Sequence, residues 1–515
     1  MNRAIGGRDT ADAPKAPPDL RLASAAFGAW MGVLAGGFLT PAVCWPIAGA
    51  LLALAGWARR TAVLATGLAL LAAGLFVASL ARTSLSHGPV AALARQGSAA
   101  RVELSVSSDP QALPPVAHLP PAVQLRARLR VLETSGRRWT ADLPVLVLAP
   151  ASSWRSLLPS TRVSAAAVLH IPKGTDVAAV LVMHRAPIMI RGPSTLQRWA
   201  GRIRAGLRRA AARLPRSERG LLPGLVVGDT SQMSAADTAD FRKAGLTHLT
   251  AVSGANLAVV VAAVFGLLRW TPLSVRMRAL VTAVALIGFV LLARPTPSVL
   301  RAAGMGLLAL AAVALGRPRA LLPALLATLT ALALFEPTLA TGPGFALSVL
   351  ATLALLLLAP GWTAALRERL PPRLAPLAPA VTTPLAAQLA CMPVIAAISG
   401  TVSLAAVPAN LLALPAVPFT TVLGLAAAIV SLASPWAAGL LCTIAGAGCQ
   451  WLILVARTAA HLPLATVTAP SGPLGLASVA LVTAALVAAV RTRGGRRTLL
   501  FTGVILAGAR LAGRR

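Results

Sequence analysis

Two hydrophobic periodicities alternate along the chain. Apolar runs recur toward both ends, most of them long enough for the hydrocarbon core of a bilayer. The first group covers 24–42, a shorter 45–57, and 61–81. The second covers 246–268, 279–293, 298–316, 320–335, 343–359, 378–399, 409–431, 435–456 and 473–490, with a shorter apolar piece at 498–511. Between them the period drops to 2. "RVELSVS" alternates Val102, Leu104 and Val106 with Arg101, Glu103 and Ser105. "VQLRARLRV" alternates Val123, Leu125, Ala127, Leu129 and Val131 with Gln124, Arg126, Arg128 and Arg130. That alternation predicts half-buried strands, and "LPVLVLAP", "TRVSAAAVLH" and "VAAVLVMH" add three more. The expected fold is a polytopic α-helical membrane protein of about twelve spans. A small β-rich, extracytoplasmic domain is inserted over 85–190. An OB-like barrel suits the strand count, although the pattern alone does not select it.

The joints between these regions have their own signatures. "STLQRWAGRIRAGLRRAAARLPR" (194–216) sets Leu196, Trp199, Ile203, Leu207, Ala210 and Leu214 at helical spacing. Arg198, Arg202, Arg204, Arg208, Arg209 and Arg213 fill the other faces. This is a basic amphipathic helix, suited to lying in a membrane interface or to guiding a polyanion toward the bilayer. Ser234-Ala-Ala-Asp237 reads as a capping box opening a short helix that stops at Gly245. Asp229 follows Gly228 in a loop with no evident structural task, so 217–249 reads as a polar hairpin dipping toward the next helix.

Composition sharpens the picture. The chain has 515 residues, 57% hydrophobic and 12% charged, below the roughly 25% charged of soluble domains. Lys+Arg is 47 against 14 Asp+Glu, a net charge of +33, and only Lys15, Lys173 and Lys243 are lysines. Positive-inside loops account for such an excess, and so does a polyanionic partner, because arginine pairs with phosphate in a fixed fork. Arginines at 269, 276 and 278, at 317 and 319, at 367, 369 and 373, and at 491, 493, 496 and 497 fall on alternate loops. That pattern, with a cytoplasmic tail at 1–22 and "ARRT" at 58–61 inside, puts the strand domain on the outer side. Cys44, Cys391, Cys442 and Cys449 lie in or beside apolar segments and read as fillers, not disulfide partners.

After Asp240 the only acids are Glu336 and Glu368, neither in mid-span. Ion-coupled carriers place ionisable groups inside the bundle, so this count argues against one. There is no phosphate loop, no metal-binding cluster and no nucleophile triad, so no catalytic residue, metal or cofactor is assigned. What stands out is polar chemistry at the mouth of a span. "GLTHLTAVSGANL" holds Thr247, His248, Thr250, Ser253 and Asn256, with Thr247, Thr250 and Gly254 on one face if it is helical. Such groups serve helix packing, or line a cavity at membrane depth. "RPTPSVLRAAGM" puts Arg301 one turn inside a helix, either snorkelling or facing the bundle. "VPANLLALP" holds Asn410 between Pro408 and Pro415, which reads as a broken or re-entrant helix. Arg126, Arg128 and Arg130 form a stripe on one strand face, a solvated surface or a contact for phosphates.

The order "LLPGLVVGD … FRKAGLTHLTAVSGANL … RPTPSVLRAAGM … GPGFALSVLATLALL … VPANLLALP" resembles the ComEC family of competence proteins over 217–495, and the strand domain resembles that family's OB-like domain. The resemblance implies an inner-membrane channel for single-stranded DNA in natural transformation. It also implies a membrane DNA receptor and a cytoplasmic motor as partners, with a separate nuclease and a homo-oligomer as further possibilities. Gly228, Asp229, Gly245, His248, Leu249, Ser253, Gly254, Arg301, Gly344, Phe345, Ser348, Asn410 and Pro415 occupy motif positions. Of these, Asp229, His248, Ser253, Arg301 and Asn410, together with Asn256, are expected along the strand's path. Many family members continue into a metallo-β-lactamase-like domain. The sequence ends at "AGRR" without one, so nuclease activity is not expected of it. The alternative reading is a carrier or flippase for another anionic solute.

Overall fold

The computed structural model describes residues 20–58, 61–113, 120–134, 136–172, 174, 176–316, 321–463 and 465–491. The tail before residue 20, Arg59, Arg60, Lys173, Arg317, Arg319, Arg493, Arg496, Arg497 and the apolar piece at 498–511 lie outside those residues.

The chain opens with α1 (Ala23–Phe38), α2 (Pro41–Trp57) and α3 (Ala62–Ser86). Small residues let α1 and α3 approach closely: a Cβ added at Gly32 would lie 2.1 Å from the Leu71 carbonyl oxygen. A short helix, α4 (Pro89–Gln96), leads into the strand domain. Its strands are β1 (Ala99–Val106), β2 (Gln111–Ala112), β3 (Ala122–Thr134), β4 (Arg137–Pro150), β5 (Arg162–His170), β6 (Val180–Met183) and β7 (Ile188–Arg191), with α5 (Ala151–Trp154) after β4. Pairing runs β1-β3-β4-β6-β5, and β5 pairs back to β1, so the sheet closes on itself. The β4–β6 pair is parallel and the others are antiparallel. β7 adds at the edge of β5.

The alternation predicted the barrel interior well. Val102, Leu104, Val106, Val123, Leu125, Ala127 and Leu129 are buried in one apolar cluster that also holds Trp154 and Leu181. Val131 is the exception. The β3–β4 register shifts between Leu129 and Val131, so the phase of the strand changes and Leu132 points inward instead.

The helical part follows: α6 (Thr195–Ala211), α7 (Arg216–Val227), α8 (Ala235–Lys243), α9 (Gly254–Leu267), α10 (Val275–Ala293), α11 (Pro297–Ala314), α12 (Leu321–Phe335), α13 (Pro337–Ala340), α14 (Pro343–Leu357) and α15 (Ala359–Arg367). Then come α16 (Ala378–Ser399), α17 (Ala406–Ala413), α18 (Ala416–Val430), α19 (Pro435–Ala460) and α20 (Gly472–Arg491). A two-stranded ladder of β8 (Thr401–Ser403) and β9 (Thr466–Thr468) ties the starts of α17 and α20. Among the described residues, four helical stretches are long and apolar enough to cross a membrane: Ala62–Ser86, Val275–Ala293, Ala375–Ser399 and Pro435–Ala460. Two bent pairs qualify jointly, α14 with α15 at 41° and α17 with α18 at 50°. The break expected between Pro408 and Pro415 is the second of these.

The expected polar hairpin at 217–249 is not what forms. Its first part is α7, whose Leu221, Leu222, Leu225, Val226 and Val227 sit at the centre of the main core with α6, α8, α17, α18 and α19. Five nearly consecutive apolar side chains bury all round this helix, which only a surrounded helix can do. All four cysteines are free, and Cys44, Cys442 and Cys449 are buried.

Candidate functional site: a broken helix entry beside a buried arginine

The polar stretch that stood out in the sequence is a loop between α8 and α9, not the first turns of a span. Ser234 caps α8, accepting from the Asp237 amide at 3.0 Å, while its hydroxyl donates to Asp237 at 2.7 Å. At the other end Gly245 takes a left-handed φ of 71°. The Gly245 amide reaches the Arg242 carbonyl at 3.1 Å, and the Leu246 amide reaches Phe241 at 2.8 Å, a glycine C-cap that stops the helix. A single 3₁₀ turn, Thr247–Leu249, follows, and Thr250 bonds back to the Thr247 carbonyl at 2.8 Å. Hydroxyls that bond their own backbone compete with helix, so Thr247, Thr250 and Gly254 do not line up on one helical face. The loop is held on two sides. A Cβ at Gly245 would lie 2.5 Å from the Ala406 Cβ of α17. Ser403 donates to the Lys243 carbonyl at 2.7 Å.

α9 begins at Gly254 after Ser253, which makes no side-chain cap bond. Asn256, buried in its first turn, donates to the Leu225 carbonyl at 2.8 Å and so satisfies an acceptor at the end of α7. Ser253 donates to the Asn256 side-chain Oδ1 at 3.3 Å. The Arg301 guanidinium lies against this turn: a Cβ at Gly254 would be 3.6 Å from its Nη2. Arg301 is 5% exposed and does not snorkel. It reaches across to α14, with Nε donating to Ser348 at 2.8 Å and Nη1 to Thr352 at 2.6 Å. Nη2 also donates to Ser348, and Nη1 approaches the Met305 sulfur at 3.4 Å. Among the described residues no carboxylate pairs with Arg301. Neutral hydroxyls therefore solvate a buried charge without cancelling it.

Asp229 does have a structural task, contrary to expectation. It accepts from Arg208 at 2.6 Å and from the Ser231 amide at 3.2 Å, with Arg204 at 3.9 Å. Burial pushes its carboxyl up, but Ser231, Arg204 and Arg208 outweigh it and hold the group below the usual carboxylate value. Arg204 then links Asp229 to the barrel. It pairs with Asp109 at 2.9 Å, donates to the Leu292 carbonyl at 2.9 Å, and also bonds the Val227 carbonyl. Arg294, itself at a left-handed φ of 73°, grips both oxygens of Asp109 at 2.7 and 3.0 Å and donates to Gln197. One buried network thus joins the β1–β3 connection, α6, the end of α7 and the end of α10. Sequence reasoning missed Asp109, Gln197, Arg204 and Arg294. Helical spacing puts Arg204 on a polar face, yet it is buried, as Leu207 is.

The remaining expected residues are dispersed. His248 is exposed on the loop. Asn410 bonds the Ala406 carbonyl of its own helix at 2.8 Å, and Pro415 stands at the bend before α18. Phe345 is fully buried edge-on to Trp30, with ring centroids 6.0 Å apart, whereas an added Cβ at Gly344 would meet nothing within 4 Å. The stripe on β3 is partly neutralised: Arg126 pairs with Asp176 at 2.6 Å, and Asp142 takes both Arg128 at 2.5 Å and Arg130 at 3.1 Å. Among the described residues no group of three His, Cys, Asp or Glu side chains is placed to hold a metal ion. A groove of about 220 Å³ opens at the α14–α15 bend, lined by Leu355, Thr363 and Arg367 but not by Arg301.

A set of long apolar helices joined to a closed barrel through buried ion pairs, with a buried arginine and a broken helix entry, defines a membrane protein with an appended β domain. Residues 225–494 match the family model described as Competence protein, which is more than half the chain. The chain belongs to that family, the ComEC-type competence proteins. No curated protein and no solved structure matches it.

Proposed function

We propose that this protein is a multi-pass inner-membrane channel component that imports single-stranded DNA during natural transformation. The four long helical stretches, the two bent pairs and the six shorter apolar helices of 10–17 residues make about twelve crossings if each of them is one. The barrel's pairing order suits an OB-like domain on the extracytoplasmic side, where Arg126, Arg128 and Arg130 are candidates for phosphate contact. A membrane DNA receptor and a cytoplasmic motor are the partners such a channel needs, with a separate nuclease and a second copy of the chain as further candidates, and no catalytic step is assigned to this chain.

One observation carries the reading. Among the described residues Arg301 is buried without a carboxylate partner, and it lies beside a helix start whose N-cap residue offers no side-chain bond. The amides of a helix N-terminus and a guanidinium both favour an anion, and the phosphodiester is the anion a competence protein must move. Non-helical backbone at membrane depth, as in 245–253, persists where it is enclosed by protein or lines a wet path. His248, exposed on that loop, is assigned to the path; Ser253, Asn256 and Asn410 shape it, and Asp229 anchors its outer end.

The test is import of labelled DNA in a competent host whose own channel gene is deleted and replaced by this one. Arg301→Gln removes the charge and keeps most of the shape. A lost charge-assisted bond of about 1.5–3 kcal/mol predicts roughly a 10- to 100-fold lower import rate, with Arg301→Lys intermediate. A well-expressed Arg301→Gln protein importing DNA at the wild-type rate refutes the reading. Equal loss of small-anion flux by both variants would favour a carrier of small anions instead.

A further inference from the structure

The barrel carries an apolar edge that water should not tolerate. β7 is paired on one side only, to the first residues of β5. Its Ile188, Met189 and Ile190 are all more than half exposed. Leu196 and Trp199, in the first two turns of α6 just after β7 in the chain, are exposed as well, at 64% and 49%. An open, apolar edge strand is a template for aggregation unless something covers it.

The second half of α6 shows where this surface lies. Arg204 donates to the Leu292 carbonyl at the end of α10. Gly206 lies directly against Ser431, just past the end of α18, and Gly439 near the start of α19 faces Arg213. α6 therefore runs across the ends of three helices, at the boundary where the apolar bundle stops. Its first half packs back on the barrel, Gly201 against Leu158, and leaves Leu196 and Trp199 exposed. The rim is basic: Arg185, Arg191, Arg198 and Arg202 are exposed, and Arg202 covers the Trp199 ring at 5.4 Å.

We infer that β7 and the first two turns of α6 form a lipid-docking ledge that seats the barrel on the membrane surface. The apolar side chains enter the headgroup–acyl boundary, Trp199 sits at headgroup level, and the arginines meet lipid phosphates. Lipid satisfies both features at once, the apolar edge and its cationic rim, and it lies beside the bundle at this height. The inference rests on the bundle spanning a bilayer and not on what passes through it.

The experiment uses the full chain in nanodiscs of mixed neutral and anionic phospholipid. With Cys44, Cys391, Cys442 and Cys449 replaced, a nitroxide is attached at Met189→Cys or at Leu196→Cys. Collision with oxygen is compared with collision with a water-soluble nickel chelate. Val284→Cys, exposed on α10, and Arg137→Cys, exposed at the β3–β4 hairpin, supply the lipid and water references. Both ledge sites should show an oxygen-to-nickel ratio several-fold above that at 137 and below that at 284. Nickel access equal to that at 137 overturns the inference. So does shielding from both reagents, which would mark a protein contact, whether a partner or a second copy.

Discussion

Replacing Asp109 by Asn should uncouple the barrel from the helices without unfolding either. Among the described residues Asp109 is the only barrel residue in the buried ion network, pairing with Arg204 at 2.9 Å and with Arg294 at 2.7 Å. The two guanidinium groups are 5% and 11% exposed, so neither is free to rehydrate when the carboxylate goes. Removing one partner of a buried pair costs about 3–5 kcal/mol, mostly as the stranded charge. Asp109 itself is 27% exposed, so some water reaches the gap and the lower end, about 3 kcal/mol, applies. At 1.4 kcal/mol per decade that is roughly a 100-fold rise in local opening. Amide hydrogen exchange on the intact protein should show it in α6 and the β1–β3 connection, with the barrel core unchanged. Arg294→Gln should behave alike, and the double variant should cost less than the sum of the two. Wild-type exchange in Asp109→Asn, or strict additivity with Arg294→Gln, refutes the account.

Three further expectations are quick to check. Gly245→Ala forces a side chain into a left-handed φ of 71° and onto Ala406, so thermal stability should fall by at least about 1–2 kcal/mol, whereas Gly344→Ala, with open space around it, should leave the melt unchanged. Asn256→Ala strands the Leu225 carbonyl and should cost about 1–3 kcal/mol in the same assay. The Asp229 pKa is held below its ordinary 3.8, so its contribution is complete above that value and is lost as pH falls through the lower folded-state value. Melts should therefore hold level from neutral pH down to about 3.8 and drop below it, with a smaller drop in Asp229→Asn; an unaltered acid limb in that variant would remove Asp229 from the linkage.

Local patterns were readable in the sequence, and long-range pairings were not. The barrel interior follows from alternation because a strand's inward set is fixed by period 2 until a bulge resets it, as happens before Val131. The break between α17 and α18 follows from Pro408 and Pro415, which act on their own neighbours. The capping of α8 by Ser234 is local too. Arg204 was misread because periodicity assigns arginines to a wet face, and nothing within α6 reveals that Asp109 and Asp229 meet it. α7 was missed because a helix buried on every side has no polar stripe to set its period. At the candidate site, Arg301 was legible as a residue, but its partners Ser348 and Thr352 lie 47 and 51 positions on.

The Asp109–Arg294 pair spans 185 positions, and Trp30 donates to the Ala340 carbonyl 310 positions away. A chain made from its N-terminus must complete the barrel long before Arg294 exists, and must insert α1 before α13 can meet it. For that interval the barrel's Asp109 and the cations of α6 have each other but not their final clasp. Biogenesis of this protein therefore has an internal checkpoint: emergence of the end of α10 converts two independently formed parts into one unit. A truncation just before Arg294 should leave a folded barrel held to the helices through the Asp109–Arg204 pair without its second clasp, and cut by proteases faster than in the finished protein.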